Sequence, residues 1–314
     1  MAQTAFTPFQ RSGRKLFTMM LHARQHTVAG PSICAGVGMH TGRRVRLLIR
    51  PAPVDAGIVF VRSDVAGDGR VPVSAEAVVA TRLGTVIANA SGVTVSTIEH
   101  LMAALAALGV DNALVELDGP EVPIMDGSAL PFVELLDRAG RRGQPGARRT
   151  IEIVHPIEVS EGGKRAALLP SRRFEVDFEI RFPSAAIGRQ RVVAAADEAG
   201  FRRELADCRT FGFLHEVEAL RAAGLARGGS MANAVVIDGD RVLNPEGLRR
   251  PDEFVRHKAL DAVGDLYVLG APILGRFESS CGGHALNNQL CRALLARPDA
   301  WRYLATTPEL AEAV

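Results

Sequence analysis

Lysine is scarce in this 314-residue chain: Lys15, Lys164 and Lys258 stand alone among 37 basic residues, the rest being arginine. That bias, beside abundant alanine and glycine, fits a GC-rich coding sequence and makes each retained lysine worth locating. Long apolar runs are missing too. The longest, Leu101 to Val110, is broken by Gly109 and falls short of the roughly 18 to 20 residues that a helix needs to cross a bilayer. Phe17 to Leu21 is too short an apolar core for a secretory signal, and the polar His22, Arg24 and Gln25 come directly after it, so a cytoplasmic location is expected. Cysteine is sparse. Cys34, Cys208, Cys281 and Cys291 include no Cys-x-x-Cys pair, which points to free thiols rather than a disulfide framework. Neither charge dominates: a formal net charge of +2 gives no electrostatic footprint for nucleic acid.

What is present is an ordinary globular composition, 47% hydrophobic and 23% charged, with a mean hydropathy of +0.10. A chain of this length suits two cores of roughly 150 residues each, and two domains suggest a site between them. Residues 1–25 lack periodicity, carry Arg11, Arg14, Lys15, His22 and Arg24, and read as a flexible basic extension. Beyond them Val45, Leu47 and Ile49 alternate with Arg44, Arg46 and Arg50, and the stretch from Gly57 to Arg62 comes after a Pro/Asp/Gly turn, so antiparallel strands are predicted. Ser96 to Leu108 reads as a helix opened by a Ser96-x-x-Glu99 capping box and stopped by Gly109. A strand from Ala113 to Asp118 and a helix from Pro131 to Ala139 complete a first domain over 26–140. Residues 141–150, polar with Gly and Pro, read as a linker.

The second half, 151–314, repeats the order. Strands are predicted over 151–159, 166–169, 174–182 and 234–237, with helices over 213–223 and 253–269. Each main helix carries a histidine, His100 in one and His257 in the other, a weak sign of duplication.

The strongest local signal is Phe254-Val-Arg-His-Lys-Ala-Leu-Asp-Ala-Val-Gly-Asp265. On a helix His257 and Asp261 share one face, so an imidazole nitrogen and a carboxylate oxygen can converge on one cation. Asp265 continues that face a turn later. A charged helix surface would give the same pattern, and a metal site needs a third ligand. His100 is the candidate, lying near the start of an apolar helix, although a hydrogen-bonded core histidine would also fit. Glu99 beside it offers a base for a water molecule in the open position of a three-ligand zinc site, or simply completes the capping box. In Gly282-Gly283-His284 the glycines place an imidazole just before a helix; it is either a turn residue or a protonated group that steadies a developing oxyanion, held charged by Asp265. Thr210 adds a possible hydroxyl donor.

Together the segments Gly36-Val-Gly-Met-His-Thr-Gly42, Ser96-Thr-Ile-Glu-His-Leu101, Pro123-Ile-Met-Asp-Gly-Ser128, Arg209-Thr-Phe-Gly-Phe213, Glu253 to Asp265 and Gly283-His-Ala-Leu-Asn-Asn288 resemble, in order, the motifs of the UDP-3-O-acyl-N-acetylglucosamine deacetylases of lipid A biosynthesis. The resemblance spans about residues 25 to 295. It implies an α+β fold of two similar α/β sandwich domains, helices on a mostly antiparallel sheet, with a Zn2+ site at their interface. It implies His100, His257 and Asp261 as zinc ligands, Glu99 as general base, and His284 as general acid oriented by Asp265. Lys258 and Thr210 would assist the transition state and Phe211 would contact the sugar or nucleotide. The region about 211–235, with Leu214, Val217, Leu220 and Leu225, would form an acyl-chain passage. The substrate implied is an acylated UDP-amino sugar, which loses acetate, and a monomer is expected. One departure stands out: where the family often carries a phosphate-binding lysine this chain has Cys281, with Arg276 a possible substitute. That leaves a zinc amidohydrolase of another N-acetylated nucleotide sugar, or a non-catalytic binding protein of the same fold, as alternatives.

Overall fold

The strand signals are realised where apolar and charged residues alternate. Val45, Leu47 and Ile49 are buried in the strand Arg44–Pro51 while its arginines face outward. The computed structural model describes residues 24–305, so the expected basic extension lies outside the described residues up to residue 23, and its last two positions already belong to a strand, Arg24–Val28.

The first half builds a five-stranded sheet in the order Ser32–Val37, Arg44–Pro51, Ala113–Leu117, Ile58–Arg62 and Arg70–Pro72. Its central strand is antiparallel to Arg44–Pro51 and parallel to Ile58–Arg62. The second half has the order Ile157–Glu161, Lys164–Leu169, Arg276–Ser280, Glu175–Arg181 and Arg189–Ala195. Here too the last strand of the sheet in sequence enters its centre, antiparallel to one neighbour and parallel to the other. The chain therefore draws the same topology twice, a far stronger sign of duplication than the paired histidines.

Six α-helices occur among the described residues: α1 (Glu99–Ala107), α2 (Leu130–Ala139), α3 (Glu198–Glu204), α4 (Leu214–Ala222), α5 (Glu253–Leu266) and α6 (His284–Leu295). With mostly antiparallel sheets the fold is α+β. In each half an insertion separates the fourth strand from the main helix. The first carries a three-stranded sheet of Val78–Ala80, Val86–Ala88 and Thr94–Val95; the second carries Phe211–Phe213, Val235–Asp238 and Arg241–Val242 together with α4.

Three expectations change. The segment expected as a linker, 141–150, is mostly strand: Arg141–Ala147 pairs antiparallel with Arg24–Val28, and Arg149–Ile153 comes directly after. Its hold is backbone pairing plus a buried amide network in which Asn112 donates to Gln25 and Gln144, and Gln144 donates to the Ala52 carbonyl. No apolar periodicity is needed for that. The strand expected over 151–159 divides around Pro156 and joins two different sheets, as proline's missing donor favours at such a break. Helix α1 has no capping box. It starts at Glu99 after Ile98, without a side-chain cap, because the β-branched Thr97 turns the chain at a φ of 59° and frees the Glu99 carboxylate for other work.

Candidate active site

Helices α1 and α5 are buried over almost their whole length and cross at Gly264. A β-carbon there would lie 1.9 Å from the Glu99 carbonyl oxygen and 3.0 Å from the Ala103 nitrogen, so glycine is the residue that lets the two backbones touch. This contact brings His100 of α1 beside His257 and Asp261 of α5. The two imidazoles stand edge to face with centroids 5.0 Å apart. Their Nε2 atoms each lie 3.4 Å from Asp261 Oδ1, and the three residues form a buried donor cluster whose ligating atoms all fall within 4.8 Å.

Three features fit this cluster to a metal. Zinc held at its usual bond lengths in a tetrahedron separates its donors by about 3.3 Å. Asp261 Oδ1, at the centre of the group, has no hydrogen-bond partner among the described residues, an expensive omission for a buried oxygen unless a cation satisfies it. His257 Nδ1 donates to the Cys208 carbonyl at 3.1 Å, which leaves the Nε2 lone pair facing the cluster. Burial holds the His257 pKa down to about 3, against the pull of Asp261, so that the ring is neutral as a ligand must be.

Around the donors sit the other expected groups. Glu99 is buried, and its Oε2 accepts the backbone N–H of Thr85 at 2.9 Å. Burial raises its pKa, although His284 and His100 pull the other way. His284, the first residue of α6, donates from Nδ1 to Asp265 Oδ2 at 2.8 Å. Burial opposes its charge, but Asp265, Asp261 and Glu99 outweigh that and raise its pKa to about 9. Lys258 donates from Nζ to Asp261 Oδ2 at 2.9 Å; burial disfavours its charge, and the surrounding carboxylates more than compensate, so its pKa is raised. Phe211 packs against Phe254 at 5.0 Å, with the Lys258 ammonium 5.9 Å from its ring centroid.

A buried His, His, Asp donor cluster, a carboxylate and a histidine of raised pKa thus share one floor, and comparison with known proteins gives the family. Residues 25–296 match the family model described as UDP-3-O-acyl N-acetylglycosamine deacetylase. The chain belongs to this family. It is 71% identical over 291 residues to a protein of Phenylobacterium zucineum (strain HLK1) named UDP-3-O-acyl-N-acetylglucosamine deacetylase, covering 92% of this chain and 99% of that one. Relatives of the same name from Shewanella sp. (strain W3-18-1) and Shewanella frigidimarina (strain NCIMB 400) are 51% and 50% identical over 287 residues, covering 91% of this chain and 94% of theirs.

A cavity of about 570 Å³ runs from the donor cluster into the second insertion. Glu99, His100, Thr210, His257, Lys258, Asp261 and His284 line one end, and Leu214, Val217, Leu220, Met39, Val236 and Leu243 line the other. Helix α4 has no buried residue; its apolar side chains look into the cavity instead of into a core. Leu225, expected with them, is not among the lining residues. Arg276 does not stand in for the family's lysine, since its guanidinium pairs with Asp177 and Glu278 on the face of the second sheet. The segment Gly36 to Gly42, a motif without an assigned task, contributes Met39 and His40 to the lining. Its turn is held by the buried Glu121, which accepts from the His40 and Thr41 backbone N–H groups and the Thr41 hydroxyl. Sequence reasoning passed over Glu121 and Thr85, because one Glu and one Thr in strand-like segments carry no distinguishing spacing.

Proposed function

We propose that this chain is a zinc-dependent hydrolase that removes acetate from UDP-3-O-acyl-N-acetylglucosamine, giving the free amine of lipid A biosynthesis. The observation that carries the reading is the orphaned Asp261 Oδ1 set 3.4 Å from two imidazole nitrogens, with a buried carboxylate and a raised-pKa histidine beside it. His100, His257 and Asp261 would hold the metal. Once bound, zinc supplies a Lewis acid for the amide carbonyl and lowers the pKa of water.

The chain's own groups do the rest. Glu99, steadied by the Thr85 N–H, takes a proton from the attacking water as its oxygen bonds to the acetyl carbon. The His284 imidazolium, its Nδ1–H directed to Asp265, presents Nε2–H to the developing oxyanion and then to the leaving nitrogen. The Lys258 ammonium and the Thr210 hydroxyl add positive charge and a donor on the same side. As the carbon–nitrogen bond breaks, the sugar amine leaves with a proton and acetate remains. Leu214, Val217 and Leu220 would receive the acyl chain and Phe211 the sugar. The repeated sheet order supports two domains, 26–140 and 151–314, with the site between them.

The decisive assay is acetate release from the 3-O-acylated nucleotide sugar, abolished by a chelator and restored by zinc. Each methylene buried in an apolar passage is worth about 0.8 kcal/mol, so unacylated UDP-N-acetylglucosamine should react at least about 100-fold more slowly in kcat/KM. Equal rates on the two would point to the other N-acetylated nucleotide sugars instead.

Activity should follow a bell in pH. Below the raised pKa of Glu99 the base carries a proton and turnover falls. Above about 9 the His284 ring loses its proton and turnover falls again. His284→Gln should remove the alkaline limb, and a flat wild-type profile between roughly pH 5 and 10 would contradict the pair.

A further inference from the structure

The base and the acid come from different helices, Glu99 from α1 and His284 from α6, and neither hydrogen-bonds the other. One residue reaches both sides. Thr85, in the turn between Val78–Ala80 and Val86–Ala88 of the first insertion, donates its backbone N–H to Glu99 Oε2 at 2.9 Å and its hydroxyl to Asp265 Oδ1 at 2.6 Å. The second distance is that of a charge-assisted O–H···O⁻ bond. Asp265 spends its other oxygen on His284 Nδ1 and Asn287 Nδ2, at 2.8 and 2.9 Å, so the hydroxyl of Thr85 is what fixes the rotation of that carboxylate from the opposite side.

The turn itself is fitted to this position. Gly84 has a φ of 148°, and a β-carbon there would approach Glu99 Oε1 to 2.7 Å. Leu83 lines the cavity, and its carbonyl accepts from His40 Nε2 at 3.1 Å. The segment Leu83–Thr85 is thus pinned at three points across the donor cluster, and Thr85 is buried.

We propose that Thr85 is a positioning residue that sets the spacing between the base and the acid, acting through its backbone N–H on Glu99 and through its hydroxyl on Asp265 and hence on His284. This deepens the proposed function and rests on it. Geometry of this kind matters because a misplacement of about 1 Å costs about 100-fold in rate.

The test separates the hydroxyl from the shape of the side chain. Thr85→Val keeps the volume and the backbone donor and removes the hydroxyl; Thr85→Ser keeps the hydroxyl. With the acylated nucleotide sugar, Thr85→Val should lose about 10- to 100-fold in kcat, with KM within about twofold of wild type and metal content unchanged by elemental analysis. Thr85→Ser should recover most of the rate. The His284 Nδ1–H proton resonance should shift in the valine variant and return in the serine variant. If the valine variant does not fold, Thr85→Ala is compared with Thr85→Ser in the same way. A kcat for Thr85→Val close to wild type, or an equal loss in Thr85→Ser, overturns the inference. The wild-type assay tells the two levels apart: no acetate release from the acylated nucleotide sugar would overturn the hydrolase reading, whereas an active wild type beside an equally active Thr85→Val would overturn only the role of Thr85.

Discussion

Glu99→Gln is expected to keep a full complement of metal and to lose at least about 100-fold in kcat, the ordinary contribution of a general base. The amide oxygen of glutamine can still accept the Thr85 N–H that now reaches Glu99 Oε2 at 2.9 Å, so the side chain stays in place and only its basicity goes. His100 comes next in α1 and keeps its own position. A loss of about 100-fold corresponds to about 2.7 kcal/mol of transition-state stabilisation, and it should appear in kcat rather than KM because the proton moves only in the chemical step. Single-turnover kinetics together with elemental analysis check both halves of the expectation. Retained turnover would assign the base elsewhere, and a loss of metal would make Glu99 part of the cradle.

His257→Ala carries the other large effect. It deletes one of the three donors and leaves the Cys208 carbonyl, which accepts from Nδ1 at 3.1 Å, without that bond. Mutating groups that merely orient a ligand typically costs 10- to 100-fold in metal affinity, so removing the ligand itself should cost more than about 100-fold. The purified variant should hold little zinc and should remain inactive when zinc is added at concentrations that saturate the wild type. Zinc at one equivalent per chain in this variant would exclude the His100, His257 and Asp261 cradle. Cys208→Ala should be nearly silent by comparison, since the bond is to its backbone.

Much of this was legible before the structure. Strands whose face alternation is strict, such as Arg44–Pro51, and helices with long buried stripes, such as α1 and α5, announce themselves through the same periodicity that packs them. His257 and Asp261 were visible as a helix pair because four residues return a side chain to the same face. The third donor was legible only as an odd residue in an apolar helix, made persuasive by its neighbour and by the family resemblance. What escaped did so for physical reasons. Arg141–Ala147 is held by backbone pairing and buried amides, which leave no hydrophobic period. Arg276–Ser280 occupies the centre of the second sheet with only Phe277 and Ser279 buried, too brief a pattern to stand out. Thr85 acts through one hydroxyl and one backbone N–H, and the latter belongs to every residue except proline. The capping box was a false reading of a true coincidence: Ser96 and Glu99 have the spacing, but the turn at Thr97 sends the carboxylate to the site.

The crossing at Gly264 divides the molecule's freedom to change. Two backbones in contact leave no layer of side chains to repack, so the separation of His100 from His257 and Asp261 does not drift with substitutions elsewhere in the core. Helix α4, with no side chain in a core, answers to no such restraint, and Leu214, Val217 and Leu220 can be exchanged for larger or smaller residues at little cost to folding. If α4 receives the acyl chain as proposed, descendants of this chain can therefore retune the length of chain they accept while inheriting the reaction unchanged.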